Sequence, residues 1–373
     1  MNTSAASIPD SSAARVAWVD VAKGLCIIMV VMGHAVIGVE TAAGQPGWMG
    51  YVVSFARPFR MPDFFLISGL FLGLVIDRPW LRYIDRKVVH FVYFYVLWLT
   101  IQFAFRAPFM AMEDGAPATL EAYLMAFVEP FGTLWFIYIL PIFFVFTRLV
   151  KTLPAWLLLA GAACLEILPI HTGWTLVDEF ASRYVWFLIG YLFAAQIFRI
   201  ADWARENPGK ALALIALWAP VNLWLVFTPP WPSLAALIQP ELSNAGARGG
   251  IAEMSFVSLP LALAGITVVI WVSALLSERR GFAWLTWLGA HSLVVYLSFF
   301  LPMVLARVAL LHSGIISDVG TISLLTLIAA VAGPVLLYFL VKWSGYGGFL
   351  FERPRWAYID KAPAGRRVAV AAE

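Results

Sequence analysis

Charged residues are scarce in this sequence. Asp, Glu, Lys and Arg together make up 13% of its 373 residues, whereas soluble globular domains carry about 25%. Hydrophobic residues reach 62%, and the mean hydropathy is +0.85. This composition excludes a disordered chain, a collagen-like chain and an ordinary soluble domain. It indicates an all-α protein whose helices cross a lipid bilayer several times.

The sequence also has few cysteines and a small net charge. The two cysteines, Cys26 and Cys164, both lie in apolar stretches, which excludes a secreted disulfide scaffold. The net charge of +3 is too small to indicate a nucleic-acid partner. His171 and His312 lack the spacing of metal ligands, so we expect no metal ion.

Long apolar segments dominate the chain. A spanning helix needs about 20 mostly apolar residues, and the sequence predicts about ten such helices in one polytopic membrane bundle over residues 16–342. Since no small-residue cleavage site follows the first apolar run, we expect that helix to be retained. Residues 1–15 are predicted as an N-terminal tail and residues 343–373 as a basic C-terminal tail. The predicted spans are 16–38, 58–76, 88–110, 133–149, 153–170, 182–200, 210–228, 254–276, 283–308 and 319–342.

The distribution of basic residues predicts the orientation. Lys and Arg prefer the cytoplasmic loops of membrane proteins. With the N-terminus inside, every loop assigned to the cytoplasm contains at least one of them. We therefore predict that both tails are cytoplasmic. The outer loops carry acidic residues instead, namely Glu40, Glu113, Asp114, Glu121, Glu129, Asp178, Glu179 and Glu241.

The first predicted helix contains ionisable residues where lipid is expected, and such residues are functional candidates because burying a charge is costly. Lys23 and His34 are eleven residues apart, which places them about 20° apart around the helix and about 16 Å apart along it. Asp20 lies within pairing reach of Lys23. Histidine is the natural acid or base near neutral pH, and Gly33 permits close approach of a second helix or a ligand. Alternatively, Lys23 extends to the membrane surface with Asp20 as its partner, and His34 makes a structural hydrogen bond.

A second group of polar residues stands at the start of the second predicted span. Arg57, Arg60 and Asp63 flank a proline there, and Ser68 follows inside the helix. This group forms either the outer rim of an active site or an interfacial Arg–Asp pair. Ser68 can instead bond back to its own helical turn.

A third group lies at the inner end of the third predicted span and comprises Arg82, Arg86, Lys87 and His90. We call it the inner basic cluster. It is either an ordinary positive loop or a cytoplasmic site for a phosphorylated ligand, because guanidinium groups match phosphate in two-pronged contacts.

Four segments of the sequence resemble the acyltransferase-3 family of integral membrane acyltransferases. The first matches the family's basic residue followed eleven positions later by His, and its Asp-x-Ala-Lys-Gly form is similar to the branch that includes fucose O-acetyltransferases. Lys23 stands where much of the family has Arg, and Arg60 and Asp63 stand where His and Leu are common. The segments are DVAKGLCIIMVVMGH (20–34), FRMPDFFLISGLFLG (59–73), FGTLWFIYIL (131–140) and WLGAHSLVVYL (287–297).

The resemblance implies a multi-pass enzyme of the bacterial inner membrane. It implies transfer of an acyl group, usually acetyl from acetyl-CoA, to a hydroxyl of an extracytoplasmic or lipid-linked carbohydrate. His34 would act as general base or carry the acyl group itself. The predicted catalytic residues are His34, Asp20 and Glu129; the predicted donor-binding residues are Lys23, Arg82, Arg86, Lys87 and His90; the predicted acceptor-binding residues are Arg57, Arg60, Asp63, Ser68 and Trp135.

Two other functions remain open on the residues alone. A secondary transporter or flippase for an anionic solute or lipid-linked sugar would also place Lys, His and Arg within the membrane. The sequence lacks the internal repeat that marks many transporters. A non-enzymatic assembly subunit would leave the polar face of the first helix unexplained.

Overall fold

A computed structural model describes residues 16–168, 170–230 and 250–360. Within those ranges every regular element is a helix, which confirms the predicted all-α class. The predicted N-terminal tail 1–15 and residues 361–373 of the predicted C-terminal tail lie outside the described residues.

Fifteen α-helices occur in the described part of the chain, and a π-helical turn, Asp85–Val89, joins the third to the fourth. They are α1 (Ala17–Ala43), α2 (Met49–Gly69), α3 (Trp80–Ile84), α4 (His90–Glu113), α5 (Ala116–Met125), α6 (Trp135–Val150), α7 (Ala155–Ile167), α8 (Thr175–Leu192), α9 (Ala194–Glu206), α10 (Pro208–Phe227), α11 (Ser255–Ser277), α12 (Ala283–Ala290), α13 (Ser292–Ser298), α14 (Phe300–Ser313) and α15 (Val319–Ser344).

Length and composition identify six to eight candidate spans among the described residues. Six continuous helical segments are long and apolar enough to cross a membrane. Two bent pairs raise the count to eight, α8 with α9 at 75° and α13 with α14 at 54°. The protein is therefore a multi-pass membrane protein. The predicted count of about ten would also need α2, which carries three charges, and α7, whose 13 residues reach about 20 Å; that count and the orientation stay predictions.

The helix α1 lies at the centre of the bundle, packed against α2, α11, α12 and α15. Glycines bring its backbone close to α12. A side chain added at Gly24 would collide with the carbonyl of Leu285, and one added at Gly289 would collide with the carbonyl of Asp20. Small residues at such contacts allow close helix packing inside a membrane. The polar residues of α1 are therefore held among several other helices.

The helix α2 begins nine residues earlier than predicted. It starts at Met49 and contains both Pro58 and Pro62, whereas the sequence predicted a start at residue 58. Proline is tolerated inside membrane helices because neighbouring groups satisfy the freed backbone, so Pro58 does not mark the helix start. Arg57 and Arg60 consequently lie within a helix.

Residues 345–360 of the predicted C-terminal tail pack onto α4. The Tyr93 hydroxyl donates to the Phe349 carbonyl at 3.0 Å, and the Trp98 indole donates to the Leu350 carbonyl at 3.0 Å. The Arg353 guanidinium continues this contact at the π-helical turn. This part of the tail is thus attached to the bundle by specific hydrogen bonds.

Candidate active site

His34 lies on α1 and faces another helix. Its ring centroid is 5.5 Å from that of Phe299, the residue that separates α13 from α14. The imidazole is partly buried. It is therefore enclosed by protein at the point where a late helix is broken.

Arg60 of α2 approaches α1 one residue before His34. A Cβ added at Gly33 would collide with Nη1 of Arg60, so the lack of a side chain at Gly33 makes room for the guanidinium. This confirms the expectation that Gly33 permits close approach. Among the described residues, neither Nε nor Nη1 of Arg60 has a hydrogen-bond partner, although both atoms are buried.

The charges nearest to Arg60 do not compensate it. Arg57 and Arg183 exert a like-charge effect on its guanidinium, and each of these arginines has its own acid. Arg57 lies 2.5 Å from Glu253, and Arg183 lies 3.0 Å from Glu179. Outside the spans, burial raises the pKa of the Glu253 carboxyl above its usual value, and the charge of Arg57 opposes that rise.

Asp63 follows Arg60 by three residues, but its side chain contacts Cys26 of α1. It is fully buried, and its Oδ2 accepts a hydrogen bond from the Cys26 thiol of α1 at 2.8 Å. Its Oδ1 is buried without a hydrogen-bond partner in the described residues. Asp63 therefore lies in the bundle interior and not at an exposed outer rim. The alternative, an interfacial Arg–Asp pair, is not formed in the described part of the chain, since neither Arg57 nor Arg60 makes an ion pair with Asp63.

Asp20 and Lys23 form the predicted pair at the start of α1. Lys23 Nζ lies 4.0 Å from Asp20 Oδ1, and both side chains are largely buried. Asp20 also borders a cleft of about 460 Å³, whose other walls include Arg279, Arg280 and Trp287. Of the two residues, Asp20 is thus the one that borders a cleft.

Three other predicted site residues make local structural contacts. The Ser68 hydroxyl donates to the Phe64 carbonyl at 2.8 Å, the back-bond given as its alternative role. Glu129 Oε1 accepts from the Thr175 backbone amide at 3.0 Å, which places an acid at the start of α8, where a helix favours negative charge. The Trp135 ring lies 5.9 Å from that of Phe65.

The inner basic cluster divides into exposed and buried members. The side chains of Arg82 and Arg86 are 51% and 40% exposed. Lys87 is buried with its Nζ 4.9 Å from the centre of the Phe144 ring. His90 is buried against the rings of its helix neighbours Phe91 and Phe94. Only the two arginines of this cluster are well placed to meet a ligand from solution.

The contacts that join this part of the chain to residues 353–360 were not predicted from the sequence. Arg353 Nη2 lies 2.7 Å from Asp85 Oδ2, and both side chains are fully buried. Asp85 Oδ1 also accepts from the Ile359 amide at 2.8 Å, and Arg82 Nε lies 3.0 Å from Asp360 Oδ2. The one available signal was Asp85 itself, an acid among cations that needed a partner.

Comparison with known proteins extends the resemblance. A family model described as an acyltransferase domain matches residues 16–341. The nodulation protein NolL of Sinorhizobium fredii is 28% identical over 205 residues, which is 54% of each chain. The inner membrane protein YcfT of Escherichia coli is 28% identical over 249 residues, which is 59% of this chain and 68% of that protein.

A second NolL, from Mesorhizobium japonicum, is 25% identical over 182 residues, or 48% of each chain. This chain thus spans about half the length of the two nodulation proteins that it matches. No solved structure matches it. Because the family model covers nearly all of the described bundle, this multi-pass membrane protein belongs to the acyltransferase-3 family.

Proposed function

We propose that this protein is a membrane O-acyltransferase that moves an acetyl group from cytoplasmic acetyl-CoA to a hydroxyl of an extracytoplasmic or lipid-linked carbohydrate. Family membership supports acyl transfer. The observation that carries the site is the position of His34, enclosed by the bundle beside the unpartnered guanidinium of Arg60. The bacterial inner membrane is the proposed location, and the relative YcfT, an inner membrane protein of Escherichia coli, supports it.

His34 is the proposed base. It takes the proton of the acceptor hydroxyl while the hydroxyl oxygen attacks the thioester carbonyl, and the proton then passes to the departing CoA thiolate. In the alternative route, His34 itself attacks the thioester and carries the acyl group to the acceptor. Both routes need an imidazole in contact with the reacting atoms.

Arg82 and Arg86 are the proposed contacts of the CoA phosphates, since both are substantially exposed and guanidinium groups bind phosphate in two-pronged fashion. The buried Lys87 adds positive potential beside these arginines, whereas His90 packs against Phe91 and Phe94. Lys23, paired with Asp20, lies at the start of the helix that leads to His34. The thioester arm of acetyl-CoA is proposed to extend along that helix toward His34.

The test uses the purified full chain in lipid nanodiscs with radiolabelled acetyl-CoA and p-nitrophenyl α-L-fucoside as acceptor probe. We expect label in the fucoside, and a loss of at least about 100-fold in His34→Ala because a positioned acid or base contributes about that much or more. His312→Ala is the matched control, since His312 is exposed. Full transfer by a folded His34→Ala protein would remove His34 from the chemistry.

The same reaction separates the alternatives. Label that stays on protein denatured at neutral pH and disappears in His34→Ala favours the acyl-histidine route, and absence of such label during turnover favours the general base. A transporter would leave acetyl-CoA intact. Intact acetyl-CoA with the wild-type protein, with fucoside or with water as acceptor, contradicts the proposed function as a whole.

A further inference from the structure

Arg60 is an unusual feature of this bundle because its charge has no visible counterpart. Its Nε and Nη1 are buried and make no hydrogen bond within the described residues, and no ion pair of Arg60 occurs there either. A buried cation without a partner is costly, and native proteins seldom retain one unless something outside the chain completes it. An anion that arrives with the reaction would supply such a partner.

A second arginine in the same bundle shows what a structural contact looks like. Arg307 lies against Gly38 of α1, much as Arg60 lies against Gly33. Arg307 Nη1, however, donates to the Gly38 carbonyl at 3.3 Å. Both arginines use the space beside a glycine of α1, but of the two only Arg307 makes a hydrogen bond within the described residues.

Among the described residues, no acid forms an ion pair with Arg60. Arg57 and Arg183 act on it as like charges, and each of them is itself paired with an acid, Glu253 or Glu179. Asp63, the carboxylate that could have neutralised Arg60 from the next turn of α2, is engaged by the Cys26 thiol. In a site shielded from water such fixed charges act strongly on a charge that develops during the reaction.

We propose that Arg60 stabilises the oxyanion that forms on the thioester carbonyl, an assignment that rests on the proposed function. When the acceptor oxygen bonds to the carbonyl carbon, the hydroxyl proton goes to His34 and the negative charge goes to the carbonyl oxygen. Nε–H and Nη1–H of Arg60 donate to that oxygen. The carbonyl then re-forms, the C–S bond breaks, and the CoA thiolate takes the proton from His34. Arg60 thereby acts at the acyl donor and not at the carbohydrate.

The experiment compares Arg60→Gln, Arg60→Lys and the control Arg307→Gln. Initial rates of CoA release from acetyl-CoA are measured with the neutral probe p-nitrophenyl α-L-fucoside, with the anionic probe p-nitrophenyl β-D-glucuronide, and with water alone. For Arg60→Gln we expect kcat to fall by about 10²–10³ with all three acceptors, as for loss of one oxyanion donor. The KM for acetyl-CoA should change by less than about threefold, since the contact forms only in the transition state.

Arg60→Lys keeps the charge but loses the two-pronged donor geometry, so its kcat should fall between wild type and Arg60→Gln. Arg307→Gln should keep the wild-type kcat. If Arg60→Gln only raises the KM for the glucuronide, Arg60 binds an acceptor carboxylate and the assignment is overturned. An unchanged kcat in both folded Arg60 variants also overturns it, while an active wild type and an inactive His34→Ala would leave the proposed function standing.

Discussion

Two regions of the molecule treat charge in opposite ways. Around the inner basic cluster, the charges are matched within the chain: Asp85 meets Arg353, and Arg82 meets Asp360. Near His34, the guanidinium of Arg60 remains without a partner in the described residues, and one oxygen of Asp63, further along α2, is also left without one. The first region pairs its charges within the chain while leaving Arg82 and Arg86 substantially exposed, whereas the second leaves two buried guanidinium nitrogens of Arg60 without hydrogen bonds in the part of the chain that the structure describes. A cluster of cations therefore does not by itself indicate chemistry, while unsatisfied buried donors need an explanation of their own.

The largest expected effect is a loss of stability when the buried Asp85–Arg353 ion pair of the matched region is broken. Asp85→Ala leaves the Arg353 charge buried without its carboxylate, and loss of one member of a buried ion pair costs about 3–5 kcal/mol. We expect the free energy of unfolding in mixed micelles to fall by that amount. Asp85→Ala combined with Arg353→Met should lose less than Asp85→Ala alone, because no unpaired charge remains. Equal losses in both variants would show that the pair does not hold residues 345–360 on the bundle.

A substitution at Gly33 tests whether the position of Arg60 in the unmatched region matters for catalysis. Gly33→Ala adds a methyl group where Arg60 Nη1 lies, so the guanidinium must shift. We expect acetyl transfer to fall by about 10- to 100-fold, because a displacement of about 1 Å at a catalytic group can cost that much. Gly38→Ala is the matched control, since it crowds Arg307 instead. Equal losses in the two variants would mean that packing of α1, and not Arg60, sets the rate.

A smaller effect, on the affinity for acetyl-CoA, is expected when the ion pair between Arg82 and Asp360 is removed. Asp360 occupies Arg82 in the structure, so Asp360→Asn should free that arginine for a CoA phosphate. Exposed ion pairs contribute about 0.2–1 kcal/mol, which predicts roughly 1.4- to fivefold tighter binding of acetyl-CoA by equilibrium dialysis. The gain should shrink at high salt. Asp202→Asn, which removes the exposed partner of Arg205, should leave the affinity unchanged; weaker binding in Asp360→Asn would remove Arg82 from the donor site.

The smallest effect concerns a charge outside both regions. Hydrogen bonds from Thr321 and from the Trp48 indole lower the pKa of Asp318, the residue that caps α15. The charged cap therefore stabilises the fold above the ordinary carboxyl pKa of about 3.9, and this contribution disappears as the pH falls through the lowered value. We expect wild type to melt slightly above Asp318→Asn at pH 7, with the difference narrowing only below about pH 4. A difference that narrows between pH 7 and pH 5 would contradict the assignment.

The helices were largely predictable because apolar length alone marks them. Each predicted span overlaps at least one observed helix, and the Asp20–Lys23 pair follows from helical spacing. The start of α2 was not predictable, because Pro58 reads as a boundary in sequence and the tertiary environment keeps it inside the helix.

The contacts of the candidate site were less accessible to sequence reasoning. Asp85 and Arg353 are 268 residues apart, and no local pattern specifies such a pairing. The position of Arg60 against Gly33 depends on how α2 crosses α1, which periodicity does not give. Sequence therefore identified the residue types of the site, whereas only packing distinguished the satisfied charges from the unsatisfied ones.

His34 contacts Phe299, the residue at the bend between α13 and α14. The two helices meet at 54°, and the ring of Phe299, the residue between them, lies against the imidazole. The α13 half is anchored where the Tyr296 hydroxyl donates to the Thr133 carbonyl and the Gln102 amide donates to the Leu297 carbonyl. The angle of this bend therefore sets how an aromatic ring lies against the imidazole, so that the path of a late helix and the surroundings of His34 are coupled.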